Sequence, residues 1–396
     1  MYDFSSSAPR ENTNAEKYTL RKELFGTEDV MPVWVADMDI DTPDFVLDAV
    51  KERLNHPIVG YEEVPDSAYL AQIQWMKEEH NFEFEIKDMF YSHSVVASMS
   101  VAIEAYTQKG EGVIVQTPVY SPFFHSVLNL ERKLVKNPLR VDTQGHYTFD
   151  IKQLEESIEA DTKLLLLCSP HNPVGRVWKK QELEAILEVC LKHNIVVFAD
   201  EIHSDLIYES NTHVPFATLD NASNITVTAL GVGKTFNMAG FAMSCVIVKD
   251  EALRERFKKA YDRVHFAQGA VLSHVAFESA YLNGKEWIEE LKVHLYKNFL
   301  LLETLCRDYS EFIKVTPIEG TYLAWLDCRG MALKDKALRE FFIKEARLGL
   351  NAGLSFGREG SGFMRLNFAL SSAKMSEVLK RLEHALKDKR KRIDKN

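Results

Sequence analysis

The sequence predicts an α/β protein: a mostly parallel central sheet with helices on both faces, followed by a smaller α+β domain. Three observations carry that reading. Runs such as LLLL (164–167) and IVVF (195–198) are apolar at successive residues, as strands covered on both faces must be. These runs alternate with amphipathic helical segments, which is the rhythm of βα units. After Lys249 the pattern turns helical and then yields separated strands, the sign of a segregated second domain.

The first forty residues are polar and without sustained periodicity, which predicts an extended arm. Within MPVWVADMDIDTPDF, Thr42 and Pro43 suit the N-cap and first residue of a helix. VPDSAYLAQIQWMKEEH and HSVVASMSVAIEAYTQ read as helices, and GVIVQTP as a short strand ended by Pro118. KLLLLCSP is a strand, WKKQELEAILEVCLKHN an amphipathic helix, and IVVFADE, NITVTALG and SCVIV are further strands. Helical pattern then runs to about Asp308, KVTPIEGTYLAWLD and FMRLNFAL read as strands, and a charged helix follows them. The expected division is an arm over 1–45, a large domain over 46–280 and a small domain over 281–396.

Composition limits the function. A chain of 396 residues has room for two or three cores at roughly 150 residues each. Its 48 basic and 58 acidic residues leave a net charge of −10, which repels phosphate backbones and anionic lipid, so neither nucleic acid nor a membrane is an expected partner. The five cysteines are odd in number, lack CxxC spacing and sit mostly in apolar stretches, which predicts reduced thiols in a cytoplasmic protein. The opening residues have no apolar stretch able to serve as a signal peptide, and later apolar runs are too short to span a bilayer. The 13 histidines include no HExxH and no other metal-ligand spacing, so no metal is expected.

In doubly wound sheets ligands gather outside the carboxyl ends of the parallel strands, so the polar residue after each apolar run is the one to inspect. KLLLLCSP leads to Asn172 in HNPVG, IVVFA to Asp200, TVTALG to Lys234, and VIVQTP to Tyr120. An acid, an amide, an aromatic ring and a lysine at one sheet edge match the demands of pyridoxal phosphate. The lysine bonds the aldehyde carbon, the carboxylate keeps the pyridine nitrogen protonated, the ring stacks and the amide donates to the ring oxygen. Each residue alone also has a plain structural reading: Asp200 as a helix cap, Asn172 as a turn residue, Tyr120 as core, Lys234 as a solvated loop residue. GVGKT mimics a nucleotide loop, but the leading glycine of GxxxxGK[ST] would fall at Thr228.

Taken together, HNPVG, ADEIHSDL, GKTFNMAGF and FMRLNFA resemble the class I/II aminotransferase superfamily of fold type I pyridoxal phosphate enzymes, over about Pro32 to Leu370. WVADMD, Gly60-Tyr61, PVYSPF, KTFNMAG and LNAGLSFG are similar to the cystathionine β-lyase, or C-S lyase, branch. The resemblance implies Lys234 as the lysine that bonds the cofactor and moves protons, Asp200 as the pyridinium partner, Asn172 as donor to the ring oxygen and Tyr120 as the stacking ring. It implies Arg365 as the grip on the substrate carboxylate, with Asn172, Tyr120 and Ala36 beside the substrate. Tyr61 would reach the phosphate of a neighbouring subunit, which implies a homodimer with shared sites. Where the family places hydroxyl residues before the lysine this chain has Gly231 and Gly233, so Ser94 and the amides of Val95 and Val96 are expected to carry more of the phosphate. His203 stands where many aminotransferases have a tyrosine. The implied activity is cleavage of L-cystathionine or related cysteine S-conjugates, an amino-acid substrate, to pyruvate, ammonia and a thiol. An aminotransferase is the alternative, and a protein-binding or regulatory role a third.

Overall fold

The computed structural model describes residues 2–208, 211–264 and 269–394. Its centre is a seven-stranded sheet of β1 (Met89–Ser92), β2 (Gly112–Val115), β3 (Lys133–Lys136), β4 (Thr162–Cys168), β5 (Val196–Asp200), β6 (Thr226–Gly231) and β7 (Ser244–Ile247). The spatial order is β1-β7-β6-β5-β4-β2-β3. Strands β3, β2, β4, β5 and β6 pair in parallel. SCVIV, expected as a further strand, is β7 and runs antiparallel to both β6 and β1, so the sheet is mostly rather than wholly parallel. The short link between β6 and β7 holds only a helical turn and a 3-10 turn, too little for the crossover helix that a parallel return requires.

Alternating residues of each strand bury on opposite faces. Val113, Leu164, Leu166 and Phe198 pack with α3 (Val95–Tyr106), whereas Ile114, Leu165, Leu167 and Val197 pack toward Leu183 and Ile186 of the helix Lys180–His193. This two-sided burial is the physical reason for the unbroken apolar runs. A second sheet is four-stranded and antiparallel, with β8 (Lys314–Val315), β9 (Leu323–Asp327), β10 (Asn351–Ala352) and β11 (Phe363–Asn367) in the order β8-β9-β11-β10. Among the described residues no helix is long and apolar enough to cross a membrane.

Two local expectations are corrected. The first predicted helix starts at Asp44, with Pro43 as its cap; the Thr42 hydroxyl instead donates to the Asn237 carbonyl at 2.9 Å. The arm is not simply extended, for it carries short helices at Glu16–Thr19 and Arg21–Phe25. It also buries a lysine completely: Lys17 Nζ lies 2.8 Å from Asp37 Oδ1 and 3.6 Å from Asp39 Oδ2. Arg10 reaches the same two carboxylates at 2.6 and 3.0 Å. These ion pairs fix the loop from Val33 to Asp39, which runs against β11: Asn367 N donates to Val33 O, and Asn367 Nδ2 donates to Val35 O and Asp37 O.

Removing one partner of a buried ion pair leaves an uncompensated charge, at a cost of about 3 kcal/mol. Lys17→Met should therefore lower the urea midpoint markedly, whereas Lys51→Met, which deletes an exposed pair with Asp48, should leave it unchanged. Equal midpoints for the two variants would show that the arm does not depend on its buried lysine.

Candidate active site

Because β2, β4, β5 and β6 are parallel, their carboxyl ends share one edge of the sheet, and the residues that follow them converge there. A cavity of about 200 Å³ opens at that edge. Asp200 ends β5, Lys234 sits in the helical turn Val232–Thr235 after β6, and Asn172 and Tyr120 follow β4 and β2. All four line the cavity, as do His203 and Ala36. Ser94, Val95 and Val96 close another side, with Ser94 Oγ capping α3 by accepting from Ala97 N at 3.2 Å. The structure thus brings together the residues predicted from separate motifs. Two predicted residues do not line the cavity: Arg365 joins the site only through its bond to Asn172, and Tyr61 stands 96% exposed on the loop before the helix Asp66–His80, outside the cavity of its own chain.

Burial sets the electrostatics. Lys234 Nζ donates to Ala36 O at 2.6 Å, and burial pushes its amine down to about 8. Burial pushes the Asp200 carboxyl up to about 7, against the single backbone bond from Ile202 N to Oδ1 at 3.2 Å. His203 is buried edge-to-face on Tyr322, with ring centroids 5.8 Å apart, and its Nδ1 has no partner. Burial, with Lys234 and Arg365 adding repulsion, holds that imidazole well below its ordinary range and so neutral. Burial also raises the Tyr120 hydroxyl.

Arg365 comes from β11 of the four-stranded sheet and reaches the site through Asn172, donating from Nη1 to Asn172 Oδ1 at 3.1 Å. Nη2 donates to Trp34 O and to Asn351 Oδ1, both at 2.7 Å, and the guanidinium lies over the Phe356 ring. Its Nε is buried without an acceptor, and burial pushes the group down to about 10. Among the described residues its fork therefore keeps unused donor capacity.

Several contributors were not singled out from the sequence. Tyr322 donates to Ala36 O at 2.8 Å and so shares the acceptor of Lys234. His93, Cys168 and Ser244 also line the cavity. Ser244 explains the unusual glycines: it pairs directly with Gly231 across β6 and β7, and a Cβ at Gly231 would lie 3.0 Å from Ser244 Cβ and 2.9 Å from Ile202 Cδ1. A Cβ at Gly233 would press on Ala239 Cα at 3.3 Å. The hydroxyl missing from the lysine segment is present on the adjacent strand. KTFN was visible as a motif, whereas the Ser244 register required the unforeseen antiparallel β7.

A part-buried lysine and a buried carboxylate at the carboxyl edge of a doubly wound sheet, with an arginine delivered from a second sheet, define the class of protein. The chain belongs to the family described as aminotransferase class I and II, matched over residues 28–382. It is 36% identical to the cystathionine β-lyase PatB of Bacillus subtilis (strain 168), covering 97% of this chain and all of that protein. Among solved structures it resembles cystalysin from Treponema denticola, which contains a pyridoxal 5′-phosphate cofactor, with TM-score 0.94, 35% identity and 98% and 99% of the two chains covered. It also resembles the pyridoxal-phosphate-bound C-S lyase of Staphylococcus hominis, with TM-score 0.90, 30% identity and 98% of each chain covered.

The raised Asp200 carboxyl has a consequence for stability. A carboxyl at about 7 in the folded protein and near its ordinary value when unfolded makes the unfolded state release its proton first. The contribution of Asp200 to stability is therefore full below pH 4 and is lost progressively as pH rises toward 7. Asp200→Asn in cofactor-free protein should raise stability at pH 8 by on the order of 2 kcal/mol or more and change it little at pH 4. Thermal melts at the two pH values check this; a benefit independent of pH would assign it to packing.

Proposed function

We propose that this chain is a pyridoxal-phosphate-dependent carbon–sulfur β-lyase that cleaves L-cystathionine or related cysteine S-conjugates to pyruvate, ammonia and a thiol. The convergence of Lys234 and Asp200 with the Arg365–Asn172 pair at one small cavity carries the reading. The similarity to PatB and cystalysin favours the lyase branch over an aminotransferase.

The residues fit the cofactor. Among the described residues Asp200 has one backbone donor and no cation in hydrogen-bond contact, so a protonated pyridine nitrogen would complete it. Lys234, near neutrality at about pH 8, suits bonding to an aldehyde carbon. Ser94 and the amides of Val95 and Val96, at the N-terminus of the twelve-residue α3, suit the phosphate. The Asn172 amide group, its oxygen already taken by Arg365, can donate to the ring oxygen, with Tyr120 covering one face and neutral His203 beside Asp200.

When bound, pyridoxal phosphate supplies an electron sink for charge that develops at the substrate Cα. Arg365 holds the α-carboxylate through its planar fork, which orients the substrate across the domain cleft. Lys234 Nζ takes the Cα proton, and the Cβ–S bond breaks with its electron pair leaving on sulfur as a thiolate, which then gains a proton. Water converts the remaining three-carbon fragment to pyruvate and ammonia. Ala36 O and Tyr322 restrain the lysine amine so that it faces the cavity.

The proposal includes a homodimer with shared sites. Tyr61 shares an exposed stretch with Leu54, Ile58 and Val59, an apolar surface suited to burial against a second copy, where Tyr61 would reach the other site's phosphate. It includes the division into an arm (1–45), a cofactor domain (46–280) and a small domain (281–396), which the separate sheets support. All five cysteines are free and buried, which supports a cytoplasmic setting.

L-cystathionine should yield pyruvate, ammonia and thiol without any keto acid, while alanine with 2-oxoglutarate should turn over at least about a hundredfold less well. Glutamate formation that equals pyruvate release would overturn the lyase reading and promote the aminotransferase. Lys234→Ala should lose a lysine-bound absorbance near about 420 nm together with turnover. Arg365→Ala should raise KM for the amino acid far more than it weakens cofactor binding; equal loss of both would make the arginine structural.

A further inference from the structure

Asp205, whose side chain is nearly covered, lines a separate cavity with Trp75 and His80, and three elements meet on its carboxylate. Oδ1 accepts from Trp75 Nε1 at 2.9 Å and lies 2.7 Å from His80 Nε2, both on the helix Asp66–His80. Oδ2 accepts from Thr235 Oγ1 at 2.7 Å, and Thr235 directly follows Lys234 in the same helical turn. Burial works against the charged carboxylate, yet the bonds from His80, Thr235 and Trp75 hold it below its ordinary range, so it is an anion. Asp205 itself sits five residues beyond Asp200, in the segment that leaves β5.

The lysine turn is four residues long and has no side-chain cap of its own, so little within it fixes where Lys234 points. Its restraints come from outside. Phe236 packs on Trp75, with centroids 5.7 Å apart, and on Trp287 at 5.9 Å. Asn237 holds the loop above the cavity, accepting from Met38 N at 2.9 Å and donating to Ile40 O at 2.6 Å. Among the described residues, Thr235 alone ties this turn by side-chain hydrogen bond to the chain that carries Asp200.

We propose that Asp205 is a positioning residue for Lys234, acting through the Thr235 hydroxyl to set the amine in register with Asp200. The inference rests on the pyridoxal phosphate reading above and deepens it. In the bond that the clamp serves, Lys234 Nζ adds to the cofactor's aldehyde carbon and water leaves, giving a C=N link. A misplaced amine slows that condensation without altering the non-covalent grip on ring and phosphate.

The test separates these two quantities in cofactor-free protein. Thr235→Val keeps the side-chain shape and removes the hydroxyl, and it leaves Asp205 with Trp75 and His80. The rate at which pyridoxal phosphate gains its lysine-bound absorbance should fall about tenfold or more. The Kd of pyridoxamine 5′-phosphate, which has no aldehyde to bond, should change less than about twofold. Asp205→Asn should follow Thr235→Val, and Thr235→Ser, which retains the hydroxyl, should match the unaltered protein. An unchanged rate in Thr235→Val, equal losses for both ligands, or a slow Thr235→Ser would overturn the clamp, the last even where the valine variant does not fold. If the unaltered protein forms no lysine-bound chromophore, the cofactor reading itself falls.

Discussion

Between Val33 and Met38 the chain forms neither strand nor helix, yet it crosses the junction of the two sheets, and its backbone acceptors must find donors elsewhere. The donors come from every part of the site. Arg365 serves Trp34 O, Asn367 serves Val35 O and Asp37 O, Lys234 and Tyr322 serve Ala36 O, and Asn237 serves Met38 O. The lysine that follows the seven-stranded sheet's β6 and the arginine of the four-stranded sheet are thus registered against one short peptide segment rather than against each other. The arm's ion pairs matter for the same reason, since Lys17 and Arg10 hold Asp37 and Asp39 and thereby hold the acceptors in place. A static contact in the first forty residues sets the geometry of a site whose chemistry lies two hundred residues later.

Burial then makes the site costly to leave without a ligand. Asp200 is pushed up and Lys234 down by the same loss of solvent, and Arg365 keeps one buried nitrogen without an acceptor. Each of these costs has the sign that a bound pyridoxal phosphate and an amino-acid carboxylate would relieve: a cation for the acid, an aldehyde for the amine, an anion for the fork. A site optimised for stability alone would have replaced the three with apolar groups. Their presence together at the carboxyl edge of the seven-stranded sheet is the physical argument for chemistry there.

The parts of this design that were legible in the sequence are those governed by short-range rules. Asp200, Lys234, Asn172 and Tyr120 could be read because each follows an apolar run, and parallel strands send their ends to one edge. Arg365 became legible through its motif, not through any local rule. Lys17 was not, because its burial depends on carboxylates twenty residues away in a segment with no periodicity. Asp205 read as an ordinary residue of DEIHSDL for a similar reason: its donors sit on a helix more than a hundred residues earlier and on the residue after the lysine.

The direction of β7 belongs to the same class of non-local information, and it changes the meaning of two glycines. In a purely parallel sheet Gly231 would read as a lost hydroxyl. With β7 antiparallel, Ser244 stands opposite Gly231, and the space a side chain would need is already filled by Ser244 and Ile202. A side chain at position 231 would compete with Ser244 for the same space between the strands. The glycine and the serine are therefore one packing decision, so a change at position 231 has to be judged by what β7 presents across from it.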